Sequence, residues 1–181
     1  MSDTKHRVYV VLQHRWDMPG FDWAIQLSPC VESSDPSVQD SHLFRIVNTT
    51  TPDGQPKWQY VPHLIGALGS QIIARYIVVK LSSADSIQSV AKFMDKVLRR
   101  VPLEECDSSW NCRNWVLCAL MALRTQGIAV SNELSMITCI TGGTELEEKM
   151  LTFAEKQKTA IKYGKVIKHP KDLAVWDIRG R

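Results

Sequence analysis

Up to about residue 82 the chain carries short runs of strand-forming residues, and from Ser83 its apolar positions recur at helical spacing. The segments "HRVYVVLQ" and "FDWAIQLS" are both rich in strand formers, the first dense enough to be buried on both faces. Pro19-Gly20 between them is a turn signal, so the two are expected as a hairpin. In "HLFRIVN", Leu43, Arg45 and Val47 alternate with Phe44 and Ile46, as a half-buried strand requires. "KWQYVP" and "ARYIVVKL" predict two more strands, the latter central. The links "PCVESSDPSVQDS" and "TTTPDGQP" read as polar loops.

Beyond Ser83, the spacing of Ile87, Val90, Ala91, Met94, Val97 and Leu98 predicts a helix that stops before Pro102. A second helix is expected from Ser109 or Asn111, with Cys112, Trp115, Val116, Ala119, Leu120 and Leu123 inward and Gly127 closing it. A third opens at Thr144, where Glu147 completes a capping box, and runs through Leu146, Met150, Phe153 and Ala154 to Gly164. Strands followed by helices imply an α+β fold, an antiparallel sheet packed against helices. The reading is one domain over residues 1–181, with a core at 6–127 and a basic helix and tail at 144–181.

Composition narrows the function only a little. A length of 181 residues, 44% hydrophobic and 23% charged, suits a globular domain able to bury a real core. The formal charge of +3 is too mild to imply nucleic acid by itself. Its distribution is uneven, since residues 149–181 hold nine Lys or Arg against Glu155, Asp172 and Asp177, a local +6. The lysines at 156, 158, 162, 165, 168 and 171 form either a solvated face or a surface for a phosphate-bearing partner, transfer RNA included. No run reaches the roughly 20 apolar residues of a membrane span. "VYVVL" is too short for a signal-peptide core, so a cytoplasmic location is expected. The five cysteines are odd in number and show no paired C-x-x-C spacing. Reduced thiols are expected, with no zinc site. No Gly-rich phosphate loop, dinucleotide fingerprint or metal motif implies a cofactor.

One cysteine stands apart. In "SWNCRNWVLC", Cys112 falls at the start of a helix, where unpaired N–H groups and the helix dipole favour a thiolate. The alternative is a buried thiol packed as a small hydrophobe. Cys30, Cys106, Cys118 and Cys139 lack such a setting.

These residues resemble known families. "WNCRNWVLCALMAL", with "HRVYVVL" and "FDWAIQL", is similar to a group of small fungal proteins sharing a W-N-C-x-x-W-V helix, over most of residues 6–127. The order of motifs also resembles lecithin:retinol acyltransferase-type proteins, circularly permuted relatives of papain-like peptidases. That resemblance implies a permuted papain-like architecture with Cys112 as nucleophile and His42 of "SHLFRI" as the second-strand histidine. Asp22 stands where the family places its first histidine. Papain-type chemistry needs an imidazole to take and return the thiol proton, and a lone carboxylate would raise the thiol pKa.

Three roles follow for the altered site. His42 serves as base oriented by Asp22, or Asp22 binds a cationic substrate group, or the site is silent and the fold binds. Trp16 and Trp110 are candidate pocket walls, His63 a strand-end candidate, and Asn111 either the helix cap or an oxyanion donor. The leading expectation is a cysteine transferase or hydrolase acting on a small acyl or aminoacyl substrate. A silent binding domain is the alternative, as is a transfer-RNA-dependent aminoacyl transferase (cyclodipeptide-type) of secondary metabolism.

Overall fold

The computed structural model describes residues 4–15, 18–35, 37–67, 69, 71–103, 109–131 and 144–179. Five strands come first: β1 (Lys5–His14), β2 (Phe21–Ser28), β3 (Ser41–Thr50), β4 (Pro56–Ile65) and β5 (Ile72–Ser82). Among the described residues three helices follow: α1 (Ile87–Leu98), α2 (Cys112–Thr125) and α3 (Glu145–Lys162). A short 3-10 turn at Pro170–Asp172 leads into β6 (Ala174–Asp177). The expected α+β class is present, and so are the five strands and three helices read from the pattern. β6 was not foreseen.

The strands form one sheet in the order β4-β3-β2-β1-β5-β6. Neighbours run antiparallel except β5 and β6, which pair in parallel through Ala74–Ile77 and Ala174–Asp177. β1 and β2 form the expected hairpin, and Gly20 supplies the positive φ of +83° that its turn requires. Flanked by strands on both sides, β1 is buried without a break from Val8 to Gln13.

All three helices pack on one face. There Val8, Val10 and Leu12 of β1 join Trp23, Ile25 and Leu27 of β2 and Phe44 and Ile46 of β3. Met94 and Leu98 of α1, Trp115, Leu120 and Leu123 of α2, and Met150 and Ala154 of α3 close over them. Tyr76 on β5 donates its hydroxyl to the Met150 carbonyl at 2.6 Å, which ties α3 down. Tyr60 on β4 donates to Asp95 of α1 at 2.9 Å. Burial and the Asp95 carboxylate push the Tyr60 phenol well above its usual pKa, so it stays a donor.

The opposite face holds a smaller cluster, with Tyr9, Val11, Leu43 and Ile77 covered in part by Leu173 and Ile167. Arg75 organises that side. Its guanidinium is 2% exposed, bonds Glu32 at 2.5 Å and the Pro170 carbonyl at 2.9 Å, and lies 4.7 Å over the Tyr9 ring. The loop after β2 and the C-terminal turn are thereby fixed to the sheet.

Helix starts follow their caps. The first helix begins at Ile87, because Ser86 is the residue whose side chain accepts the Ser89 N–H. Thr144 caps α3 as expected by accepting from the Glu147 N–H. The Glu147 carboxylate, however, is turned to Arg113 in the first turn of α2, a pair largely buried from water. The N-termini of α2 and α3 are joined by that ion pair.

Removing one partner of such a pair strands a charge in the interior. Glu147→Ala is therefore expected to cost about 3–5 kcal/mol in chemical denaturation, whereas Arg113→Met with Glu147→Leu should nearly recover the wild-type midpoint. A loss below about 1 kcal/mol for Glu147→Ala would place the pair among the weak surface bridges instead.

Candidate functional site

The site forms where two strands part. β2 pairs with β3 only at Ile25–Leu27, against His42–Phe44. Just upstream, the Trp23 N–H donates to Cys112 Sγ at 3.4 Å. Asn111 sets the helix start: its side chain accepts from the Arg113 N–H at 3.0 Å, and Asn114 accepts from the Asn111 N–H at 3.2 Å. Its Nδ2 donates to the Ser109 carbonyl at 3.1 Å. Asn111 is the cap, with both ends of its amide engaged.

Two opposing effects act on the thiol. Burial raises its pKa above the ordinary cysteine value, and the Asp22 carboxylate pushes the same way. The N–H groups of Trp23 and Arg113 and the Arg15 guanidinium pull it down. Burial prevails, so Cys112 is a protonated thiol at neutral pH despite its place at a helix N-terminus. Asp22 itself pairs with Arg15, Nε to Oδ1 at 3.3 Å, and both side chains are partly open to solvent.

His42 lies elsewhere. It faces Leu27 across the β2–β3 register, stacks on Phe44 with centroids 6.4 Å apart, and shares a cavity with Lys92 and Asp95 of α1. Leu27 is four residues along β2 from Trp23, about 13 Å at roughly 3.3 Å per residue. The structure brings Asp22 to Cys112 but leaves His42 out, so the Asp22–His42–Cys112 relay expected from the sequence does not assemble.

No other imidazole takes its place. His6 bonds the Asp85 carbonyl at 3.0 Å, His63 lies on β4 opposite Leu43, and His169 is exposed at the 3-10 turn. His14 lines a cavity beside α3. Trp110 is buried at 7% exposure, edge-on to Trp58 at 5.7 Å. It belongs to the core and is not the pocket wall it was expected to be. Trp16 lies outside the described residues. None of Cys30, Cys112 and Cys118 is in a disulfide, Cys106 and Cys139 fall outside the described residues, and no cluster of metal-binding side chains occurs among those described.

A model of a family of unknown function, DUF6914, matches residues 5–180. The chain belongs to that family. No curated protein and no solved structure matches it. The match spans the whole sheet and all three helices, so the Cys112 and Asp22 positions both fall within the family's own domain.

Two features of the site were missed in the sequence. Arg15 follows the paired end of β1, and the register Gln13↔Asp22 with His14↔Phe21 places it beside Asp22. Hairpin register was the signal that could have found it. The second is a cavity of about 500 Å³ beneath the C-terminal half of α3. It takes in Lys158, Lys162 and Lys165 from the basic helix and tail, for which the sequence offers a solvated face or a surface for a phosphate-bearing partner. No helix among the described residues is long and apolar enough to cross a membrane.

The misplaced histidines have a measurable consequence. Burial lowers the pKa of His42, and burial with the nearby Arg45 charge lowers that of His63. Protons then bind the unfolded chain first. The stability these neutral rings contribute is full above an ordinary histidine value of about 6.5 and is lost as pH falls through their lowered folded-state values. Melting temperature should decline as pH drops from 7 toward 5, and His42→Gln should flatten part of that slope. An unchanged slope in the variant would contradict the burial account.

Proposed function

We propose that this chain is a binding domain in which the plan of a permuted papain-like cysteine enzyme has lost its proton-transfer group. The observation that carries the reading is the Arg15–Asp22 pair beside Cys112, at the place where an imidazole would have to stand. An ordinary carboxylate is a poor base for a thiol. The pKa gap is between about 4 and 5 units, roughly 6 kcal/mol uphill before any bond is made. Arg15 offers no basic site of its own. Acyl or aminoacyl transfer, or hydrolysis, through Cys112 therefore lacks both the step that generates the thiolate and the acid that protonates the leaving group.

One observation favours the nucleophile reading instead. The Trp23 N–H donates to the sulfur, and the Arg113 N–H, bonded to the Asn111 cap, also favours the thiolate, as groups holding a thiolate or an oxyanion would. The transfer-RNA reading has weaker support, because three of the tail lysines converge on a cavity.

The experiment is intact-protein mass after incubation with an activated ester and with a short-chain acyl thioester. Wild type is expected to stay unmodified at Cys112 at pH 7. Asp22→His, combined with Arg15→Ala, should lower the thiol pKa by a unit or more. Iodoacetamide labelling of Cys112 should then quicken by at least about tenfold. A wild-type acyl adduct that disappears in Cys112→Ser would overturn the reading and restore the cysteine enzyme.

A further inference from the structure

The cavity of about 500 Å³ lies between the C-terminal half of α3, the start of β5 and the segment that follows α3. Its size is that of a small-molecule pocket, for which roughly 300–1,000 Å³ is typical. Ile72 and Ile73 on β5, Ile161 on α3, and Ile167 and Leu173 beyond it supply an apolar lining. Lys158, Lys162 and Lys165 line it too, with no carboxylate among the described lining residues.

Position on α3 makes these lysines unusual. Met150 and Ala154 are buried against the sheet, and the same stripe continues at helical spacing through Lys158, Ile161 and Lys162 to Lys165 just past the helix end. An apolar residue at 158 would extend the core. A lysine stands there instead, its ammonium 5.4 Å from the centre of the Phe21 ring. Attraction of lysines to the helix C-terminus does not account for all three, because only Lys162 lies in the last turn. Among the described residues none of the three forms an ion pair, and Lys165 bonds only the neutral Gln157 amide, at 2.9 Å. Among the described residues, three cations over an apolar floor have no anion beside them.

We infer that this cavity binds an amphipathic organic anion, its alkyl or aryl body on the isoleucine floor and its carboxylate, sulfate or phosphate head among Lys158, Lys162 and Lys165. The ligand class rests on the binding role inferred above, but Cys112 does not line the cavity, so the two can fail separately. A head group alone gains only screened surface attraction. The apolar body adds about 25 cal/mol for each Å² it buries, which makes both halves necessary.

Isothermal titration of the full chain with decanoate, decyl sulfate and decyl phosphate, each below its micellar concentration, tests this. All three, or one clearly preferred head group, should bind at least tenfold more tightly than decylammonium, and inorganic phosphate should bind more weakly than decyl phosphate. Lys158→Gln with Lys162→Gln should weaken the anions at least tenfold, and Ile161→Asp should do the same from the floor, with thermal melting confirming that each variant is folded. Cys112→Ser and Asp22→Asn should leave binding unchanged. Equal affinity for decylammonium, indifference to the lysine variant, or binding of an RNA oligonucleotide without binding of any decyl anion would overturn the proposal. Loss of decyl-anion binding in Cys112→Ser would also contradict it, by moving the ligand to the thiol.

Discussion

The geometry around Cys112 depends on β3 leaving β2 after only three paired residues. A full ladder would take up the outward N–H groups along β2, and nothing would be left for a helix to meet. Because β3 departs, the Trp23 N–H is free to point at the incoming N-terminus of α2. The sulfur then fills a notch between β2 and β3 that backbone would otherwise close. A thiol in that notch is partly shielded from water, and shielding opposes the charge that the helix dipole would favour. Balance between the two decides whether the residue is chemistry or packing. Here burial and a neighbouring carboxylate outweigh two N–H donors and an arginine.

Other interactions hold the notch in shape. Trp115, one turn into α2, is fully buried and lies 5.7 Å from the Tyr60 ring, while Tyr60 is bonded to Asp95 of α1. Arg113 and Glu147 join the helix starts of α2 and α3 on the other side. Cys112 therefore has little freedom to move toward His42, whose ring is packed on Phe44 beside α1. The lysine-lined cavity lies under the C-terminal half of α3, away from Glu147 at its start, and Cys112 does not line it.

Much of the fold was legible in the sequence, because period and punctuation carry it. β2 was read with its observed ends, and Asn111 and Thr144 act as the caps their residue types suggest. β6 escaped notice because four residues give too little alternation, and its parallel pairing with β5 is a long-range contact. Asp22 beside Cys112 was legible from motif position. His42 was not, since alternation fixes the face of a strand residue while its distance from another element depends on register. The polar loop between β2 and β3 leaves that register open, and the structure sets Leu27, not Asp22 or Trp23, opposite His42. Trp110 misled for a similar reason, as a tryptophan ahead of a helix is equally placed to line a pocket or to meet Trp58 in the core.

The protonation state of Cys112 is the central claim, and it can be read directly. Selective labelling of cysteine Cβ carbons, with Cys112→Ser to assign the signal, would follow that residue by NMR from pH 5.5 to 9.5. The account requires the Cys112 resonance to keep its thiol position through neutrality and to begin titrating only above the ordinary cysteine value of about 8.5. A midpoint below about 7, in the range of activated cysteines, would contradict it.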